Sequence, residues 1–201
     1  MAHTFGGSPD KILILGGVHG DEWEGVFAAK ALVGKFLESF TYKFEATIIP
    51  AFNADGVLRN RRKNARGVDL NRNLPTNDWT AEVKEERYFP GPEANSEPEN
   101  KALVTWLAQN KPKLILSLHS WNPLLNTNGR CQEFAQTIAK HTGYEIKESI
   151  GYPTPGCLGT YGGLEHDMPT LTYELKRNIA AQSIIDTHVP AILEALKVIE
   201  N

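Results

Sequence analysis

The chain has 201 residues, enough for a sizeable core, with 41% hydrophobic residues, 22% charged residues and a formal net charge of -3. That balance exerts no global pull toward nucleic acid or an anionic membrane surface. No apolar run approaches the roughly 20 residues that span a bilayer. Met1 to Asp10 has no charged start followed by an apolar stretch, so the sequence as it stands is expected to be cytoplasmic. Cys131 and Cys157 have no second Cys or His at ligand spacing and read as reduced, structural thiols.

Lys11 to Gly16 is a short apolar run closed by Gly-Gly, the signal of a buried strand. From Glu24 to Phe40, Val26, Phe27, Ala31, Leu32 and Phe36 repeat at helical spacing. Phe44 to Pro50 is a second expected strand. Phe52 to Asp78 is rich in Asn, Asp, Gly and Arg, has no periodicity, and is expected to be a long functional loop. Ser96 is the expected N-cap of a helix running to about Gln109, with Glu99 at the capping-box position and Pro98 in the first turn. Leu114 to Leu118 reads as a strand, Gln132 to His141 as a helix and Thr170 to Glu174 as a last strand. Lys176 to Ile199 reads as mainly helical, with a kink or break at Pro190. Strands alternating with helices predict an α/β domain with a mixed, largely parallel central sheet flanked by helices.

In open sheets of this kind ligands bind beyond the carboxyl ends of the strands, and His19, His119 and Glu174 all fall at or just past such ends. His19 and Glu22, three positions apart, share one face if the chain turns helical there. With His119 they make a two-His, one-Glu set with a fourth position open to water, the ligand set of a hydrolytic zinc site. A lone His-x-x-Glu is weak and usually marks a solvated helix surface; the buried strand, the Gly-Gly and the second strand-end histidine lift it above that reading. His3, His141, His166 and His188 lack such settings and read as surface or structural. Glu174 would be solvent-facing at a bland sheet edge, but beside a zinc it becomes a general base. The loop carries Arg59, Arg61, Arg62, Arg66 and Arg72 with Asn53, Asn60, Asn64, Asn71 and Asn73. A solvated basic loop is the plain reading; a pocket for an anionic substrate end is the functional one, because Arg binds carboxylate bidentately. Asp69 could pair with an Arg or hold the second nitrogen of a zinc-bound histidine.

Taken together, Gly17-Val-His-Gly-Asp-Glu22, Asn53-Ala-Asp-Gly56, Gly67-Val-Asp-Leu-Asn-Arg-Asn73, Gly91-Pro-Glu-Ala-Asn-Ser-Glu-Pro-Glu99, Ser117-Leu-His-Ser120 and Thr170-Leu-Thr-Tyr-Glu174 resemble the zinc carboxypeptidases, in family order and over most of the chain. The resemblance implies one catalytic domain over residues 1–201, one zinc per chain on His19, Glu22 and His119, and Glu174 as catalytic base. It implies that Asn71 and Arg72 bind the substrate's terminal carboxylate and that Asp69 holds the first zinc histidine. Arg62, with Arg61 the alternative, matches the arginine that polarises the scissile carbonyl; Tyr152, with Tyr161 the alternative, matches the family tyrosine. Leu158, Gly159 and Thr160 fall where the resemblance puts the pocket for the terminal side chain. The chain is shorter than the digestive catalytic domain and begins just before the first metal strand, so part of the usual N-terminal sheet is expected to be missing or trimmed.

Gly20-Asp21 between the first two ligands and the segment Tyr152 to Tyr161 look most like the bacterial murein peptide amidases, which cut between D-glutamate and meso-diaminopimelate. The implied partner is a small peptide with a free carboxylate, with no nucleic acid and no membrane. Two other readings share these residues: a zinc deacylase of the aspartoacylase and succinylglutamate desuccinylase type, and a catalytically inactive binding module on the same fold.

Overall fold

In the computed structural model, which describes residues 1–200, the apolar run Lys11–Gly16 is a strand buried on both faces. Ile12 and Ile14 join one apolar layer, while Leu13 and Leu15 join the other. That double burial is why the run reads as continuously apolar rather than alternating. The strands are β1 (His3–Phe5), β2 (Lys11–Gly16), β3 (Glu45–Ile49), β4 (Leu114–Trp121), β5 (Leu124–Asn128), β6 (Ile146–Lys147) and β7 (Thr170–Lys176). They form one sheet in the order β1-β3-β2-β4-β7-β5-β6. The pairs β3–β2, β2–β4, β4–β7 and β5–β6 are parallel; β1–β3 and β5–β7 are antiparallel. The sheet is therefore mixed and largely parallel, as the sequence predicts. The short strands β1, β5 and β6 were not foreseen, because two to five residues carry too little pattern to separate from loop.

The helices are α1 (Trp23–Glu38), α2 (Ala54–Arg59), α3 (Pro98–Asn110), α4 (Gln132–Thr142), α5 (Ala181–Ser183) and α6 (Val189–Leu196). Residues of α1, α4 and α6 pack with Ile12, Ile14, Leu116 and Tyr173 on one face of the sheet. Leu103 and Leu107 of α3, together with Leu70, Leu74, Leu158 and Tyr161, cover the other. Among the described residues no helix is long and apolar enough to cross a membrane.

Two local expectations are corrected. The stretch 52–78 is not all loop: α2 occupies Ala54–Arg59, and a 3-10 turn spans Leu70–Arg72. Asn53 starts α2 by accepting from the Gly56 amide through Oδ1, and Asp69 starts the 3-10 turn by accepting from the Asn71 amide. Both caps are polar side chains that blend into an Asn/Asp-rich sequence, so the elements left no apolar signature. Second, Ser96 does not cap α3. Glu97 holds the N-cap position without a side-chain cap bond, Ser96 Oγ donates to Glu97 Oε1 at 2.7 Å, and Glu99 faces Asn64 instead of closing a capping box. Tertiary partners outbid the local cap.

These partners belong to a buried polar hub that fixes the long loop. Asn73, fully buried, donates from Nδ2 to Pro90 O (2.7 Å) and Ser96 Oγ (3.0 Å), and accepts through Oδ1 from Glu97 N and Asn100 Nδ2 (both 3.2 Å). Asn64 Nδ2 donates to the fully buried Glu97 at 2.8 Å. A loop without its own ladder satisfies its backbone and side chains this way.

The C-terminal helix is interrupted where Pro190 requires it. A π-helical segment, Ile184–His188, precedes α6, and Pro190 lies in the first turn of α6, where its missing N–H is harmless. The widened turn delivers His188 into the core, where Tyr173 Oη donates to its Nδ1 at 2.5 Å. Burial pushes the His188 pKa down to about 4. An unfolded histidine, with its ordinary pKa near 6.5, binds a proton that the folded one refuses. Stability from this group is therefore full above about pH 6.5 and falls as the pH drops toward 4. Chemical denaturation of His188→Gln is expected to show a flatter stability-versus-pH slope between pH 6.5 and 4 than the parent protein; parallel slopes would exclude His188 as the source.

Candidate active site

Side-chain alternation and strand register build the site. On β4, Leu114, Leu116 and Leu118 face the α1 layer, so Ser117 and His119 face the long loop. On β7, Leu171, Tyr173 and Leu175 face the α1 layer, which turns Glu174 toward the same loop. Register pairs His119 directly with Glu174, and Gly16 at the end of β2 with Leu118. Beyond Gly16 the chain does not turn helical. Gly17 takes a left-handed φ of +65°, a turn follows, and Glu22 becomes the N-cap residue of α1, its amide donating to His19 O at 3.3 Å. His19 and Glu22 thus face one another across a turn rather than along a helix. Gly25 completes the approach: a Cβ there would collide with the Leu118 carbonyl, so only glycine lets the start of α1 sit against β4.

His19, Glu22 and His119 are buried, and one ligand atom from each lies within 4.8 Å of the others. His19 Nδ1 is 2.8 Å from Glu22 Oε1, His119 Nδ1 is 2.9 Å from Glu22 Oε2, and the two Nδ1 atoms are 3.2 Å apart. His19 Nε2 lies 3.1 Å from Asp69 Oδ1, which turns Nδ1 inward. His119 Nε2 has Ser117 Oγ at 3.0 Å behind it. Two imidazole nitrogens and a carboxylate, all metal-ligating groups, are directed at one point. Their spacing is close to the roughly 3.3 Å expected between donors each about 2.0–2.1 Å from one tetrahedral zinc. The residues present fit a zinc ion by donor chemistry, by convergence and by the partners held behind both rings.

Glu174 is buried beside this set, and its Oε2 has no partner. Burial, reinforced by the negative Glu22, raises its carboxyl to about 7 against the pull of His119, Arg62 and Arg72. Arg62 binds Asp69 through Nε (2.9 Å) and Nη2 (2.8 Å) and reaches His19 Nδ1 with Nη1 at 3.3 Å. Burial opposes the Asp69 charge, yet His19 and Arg62 hold its carboxyl far below the usual carboxylate range. Arg61, the alternative, is exposed and turned away from this contact set.

A cleft of about 280 Å³ opens over these groups and is walled by Arg62, Asn71, Arg72, Tyr152, Gly159 and Glu174 among others. Asn71 Oδ1 accepts from the Leu158 amide at 2.9 Å, and Arg72 Nη1 donates to Asn71 O at 2.7 Å. Tyr152 is 38% exposed at the rim, whereas Tyr161 is buried in the α3 layer. Of the three residues read as the side-chain pocket, Gly159 lines the cleft, Leu158 packs in the apolar layer, and Thr160 Oγ1 lies 3.4 Å from Cys157 Sγ. Of the loop arginines, Arg59, Arg61 and Arg66 are exposed, and Asn60 ends α2 in a left-handed conformation.

Sequence reasoning missed several wall residues, Tyr88, Arg87, Trp121 and Arg177 among them. Tyr88 lies 5.1–5.3 Å from the guanidinium carbons of Arg62, Arg72 and Arg87, a triple cation–π contact. Arg87, Trp121 and Arg177 also line the cleft. Tyr88 and Arg87 sit in an unpatterned polar stretch that gave no signal. Trp121 and Arg177 sit at strand ends, where the ligand-position argument used for His119 and Glu174 would have found them.

A mixed sheet whose parallel strand ends carry a His-Glu-His cluster, a raised glutamate and a basic cleft defines a metal-dependent hydrolase of peptide-like amides. The chain belongs to the zinc carboxypeptidase family, whose sequence profile matches residues 6–178, and is an enzyme of the metallocarboxypeptidase and amidase class. It is 30% identical over 197 residues to murein peptide amidase A of Vibrio campbellii (strain ATCC BAA-1116), covering 92% of this chain and 77% of that one. The crystal structure of murein-tripeptide amidase MpaA from Escherichia coli O157 superposes with a TM-score of 0.78 at 26% identity, over 94% of this chain and 82% of that one. A succinylglutamate desuccinylase/aspartoacylase from Rhodobacter sphaeroides shares the fold at a TM-score of 0.68 and 17% identity, over 98% of this chain and 57% of that one.

Proposed function

We propose that this enzyme is a zinc-dependent amidase that removes a carboxylate-bearing terminal residue from murein peptides, cutting the γ-D-glutamyl-meso-diaminopimelate bond. The observation that carries the reading is the convergence of His19, Glu22 and His119 beside Glu174 in a cleft walled by Arg62, Arg72, Arg87 and Arg177. Four guanidinium groups in one cleft suit a substrate with several carboxylates better than an ordinary peptide end with one. The murein relatives and the small Gly159 wall support the same choice. We place the activity in the cytoplasm and in a single domain; the two free cysteines, Cys131 and Cys157, agree with a reducing compartment.

His19, Glu22 and His119 would hold one zinc, with Asp69 orienting His19. A bound zinc supplies Lewis-acid polarisation of water and of the scissile carbonyl. Asn71 and Arg72 bind the terminal carboxylate: with Oδ1 engaged by Leu158, Asn71 offers its Nδ2 protons, and Arg72 offers the N–H groups left free by Asn71 O. Glu174 takes the proton of the attacking water and passes it to the leaving amine. A carboxyl held near 7 exchanges protons readily at neutral pH. Arg62 meets the negative charge that develops on the carbonyl oxygen, kept in place from behind by Asp69. Tyr152 at the rim contacts the bound peptide, and Leu158, Gly159 and Thr160 shape the end that receives the terminal side chain.

The substrate assignment is tested by comparing kcat/KM for L-Ala-γ-D-Glu-meso-diaminopimelate with that for peptides ending in Phe and Arg. The murein peptide is expected to be preferred; preference for either ordinary peptide removes that substrate and leaves a zinc carboxypeptidase.

The metal and base roles separate in two variants. Glu174→Gln is expected to keep one zinc by metal analysis and to lose about a hundred- to ten-thousand-fold in kcat, whereas His119→Ala is expected to lose the metal. Near-normal turnover in Glu174→Gln would place the base elsewhere.

Arg72→Ala should chiefly raise KM, since it removes a contact made alike in ground and transition states, and Arg62→Ala should chiefly lower kcat. Steady-state kinetics showing the reverse split would exchange the two roles.

A further inference from the structure

Arg177 stands apart from the other arginines of the cleft. Arg62, Arg72 and Arg87 come from the long loop and share Tyr88, whereas Arg177 follows β7 on the sheet side. Its turn is firmly built. The Arg177 amide donates to Trp121 O at 3.0 Å, and Asn178 takes a left-handed φ of 60°. The Asn178 amide donates at 2.6 Å to Oε1 of Glu24, a carboxylate with no solvent exposure, whose Oε2 accepts from Ser120 Oγ at 2.5 Å. A fully buried carboxylate is costly unless fully bonded, and here it ties α1, the end of β4 and this turn together. Arg177 Nη2 donates to Asp21 Oδ2 at 3.1 Å and Nη1 to Ser120 O at 3.4 Å, which aims the guanidinium while leaving N–H groups free toward the cleft.

Its place in the cleft gives it a role. Arg72 lies with Arg62 around Tyr88, and Arg62 lies against His19 and Glu22. Asp21, between those two residues in sequence, acts electrostatically on Arg62 and pairs with Arg177. Arg62 therefore stands between Arg72 and Arg177. With the terminal carboxylate at Arg72 and the scissile carbonyl at Arg62, Arg177 falls on the acyl side of the bond to be cut. A glutamyl residue linked through its γ-carbonyl keeps a free α-carboxylate on that side; an ordinary α-linked residue has none there. We propose that Arg177, held by Asp21 and by the Glu24-anchored turn, binds the free α-carboxylate of the γ-linked acyl residue and so selects γ-glutamyl over α-peptide bonds. This rests on the murein reading above and names the residue that reads its acyl half.

The test compares L-Ala-γ-D-Glu-meso-diaminopimelate with the same peptide carrying the glutamyl α-carboxylate as a carboxamide. The zinc-loaded parent enzyme is expected to favour the carboxylate form about ten- to a hundredfold in kcat/KM, the range for a hydrogen bond to a charged group. Arg177→Met is expected to bring that ratio near one, and Arg177→Lys to retain part of it. Calorimetric binding of the acyl product L-Ala-D-Glu to the same proteins, against L-Ala-D-isoglutamine, reads the contact without turnover and reports whether each variant is folded. Equal handling of both peptides by the parent enzyme, or an unchanged ratio in Arg177→Met, overturns the role of Arg177 while leaving the murein reading intact. Hydrolysis of ordinary C-terminal peptides but of neither murein peptide overturns both.

Discussion

The in-register parallel pairing of β2, β4 and β7 is the constraint on which the site depends. Gly16 pairs with Leu118 and His119 with Glu174, so three chemistry-bearing segments leave the sheet at one level. Alternation along β4 and β7 then decides the face: Leu118 and Tyr173 go to the core, and their neighbours His119 and Glu174 go to the cleft. A one-residue slip in either strand would bury its polar partner in the α1 layer and expose a leucine or tyrosine. The apolar residues of these strands therefore enforce the geometry of the polar ones.

A second layer of constraint comes from polar groups kept out of water. The loop that supplies Arg62, Asn71 and Arg72 has little regular structure, yet it is pinned by the Asn73 hub and by the pair Asn64–Glu97. Asp69 links that loop to the sheet. One carboxylate orients His19, receives Arg62 and accepts from the Asn71 amide. Such a shared acceptor couples the His19–Glu22–His119 cluster to Arg62 and to the Asn71–Arg72 turn, so small shifts in the loop are felt in all three.

Charge is distributed across the cleft with a direction. Three guanidinium groups gather around Tyr88 on the loop side, the carboxyl groups of Glu22 and Glu174 lie at the strand ends, and Arg177 stands beyond them with Asp21. Cations on both sides of a metal-dependent centre favour a ligand anionic on both sides of its scissile bond. The cation–π contacts also spread the positive charge of the loop, which lets three arginines approach one another without a matching number of acids.

The sequence by itself determined the parallel core and the polar residues that gather at its strand ends. Lys11–Gly16 and Leu114–Leu118 are buried on both faces, and continuous apolar runs leave no other stable placement. Histidine and glutamate at the ends of such runs are costly unless used, which made His19, His119 and Glu174 legible. The caps of α2 and α3, the three short strands, the turn between His19 and Glu22, and the wall residues Tyr88, Arg87, Trp121 and Arg177 were decided only by the tertiary structure. Several owe their setting to partners distant in sequence: Ser96 to Asn73, Tyr88 to Arg62 and Arg72, Arg177 to Asp21 and, through its turn, to Glu24. Periodicity records which side of an element meets the core. It carries no record of which polar groups, far apart along the chain, meet once the core has formed.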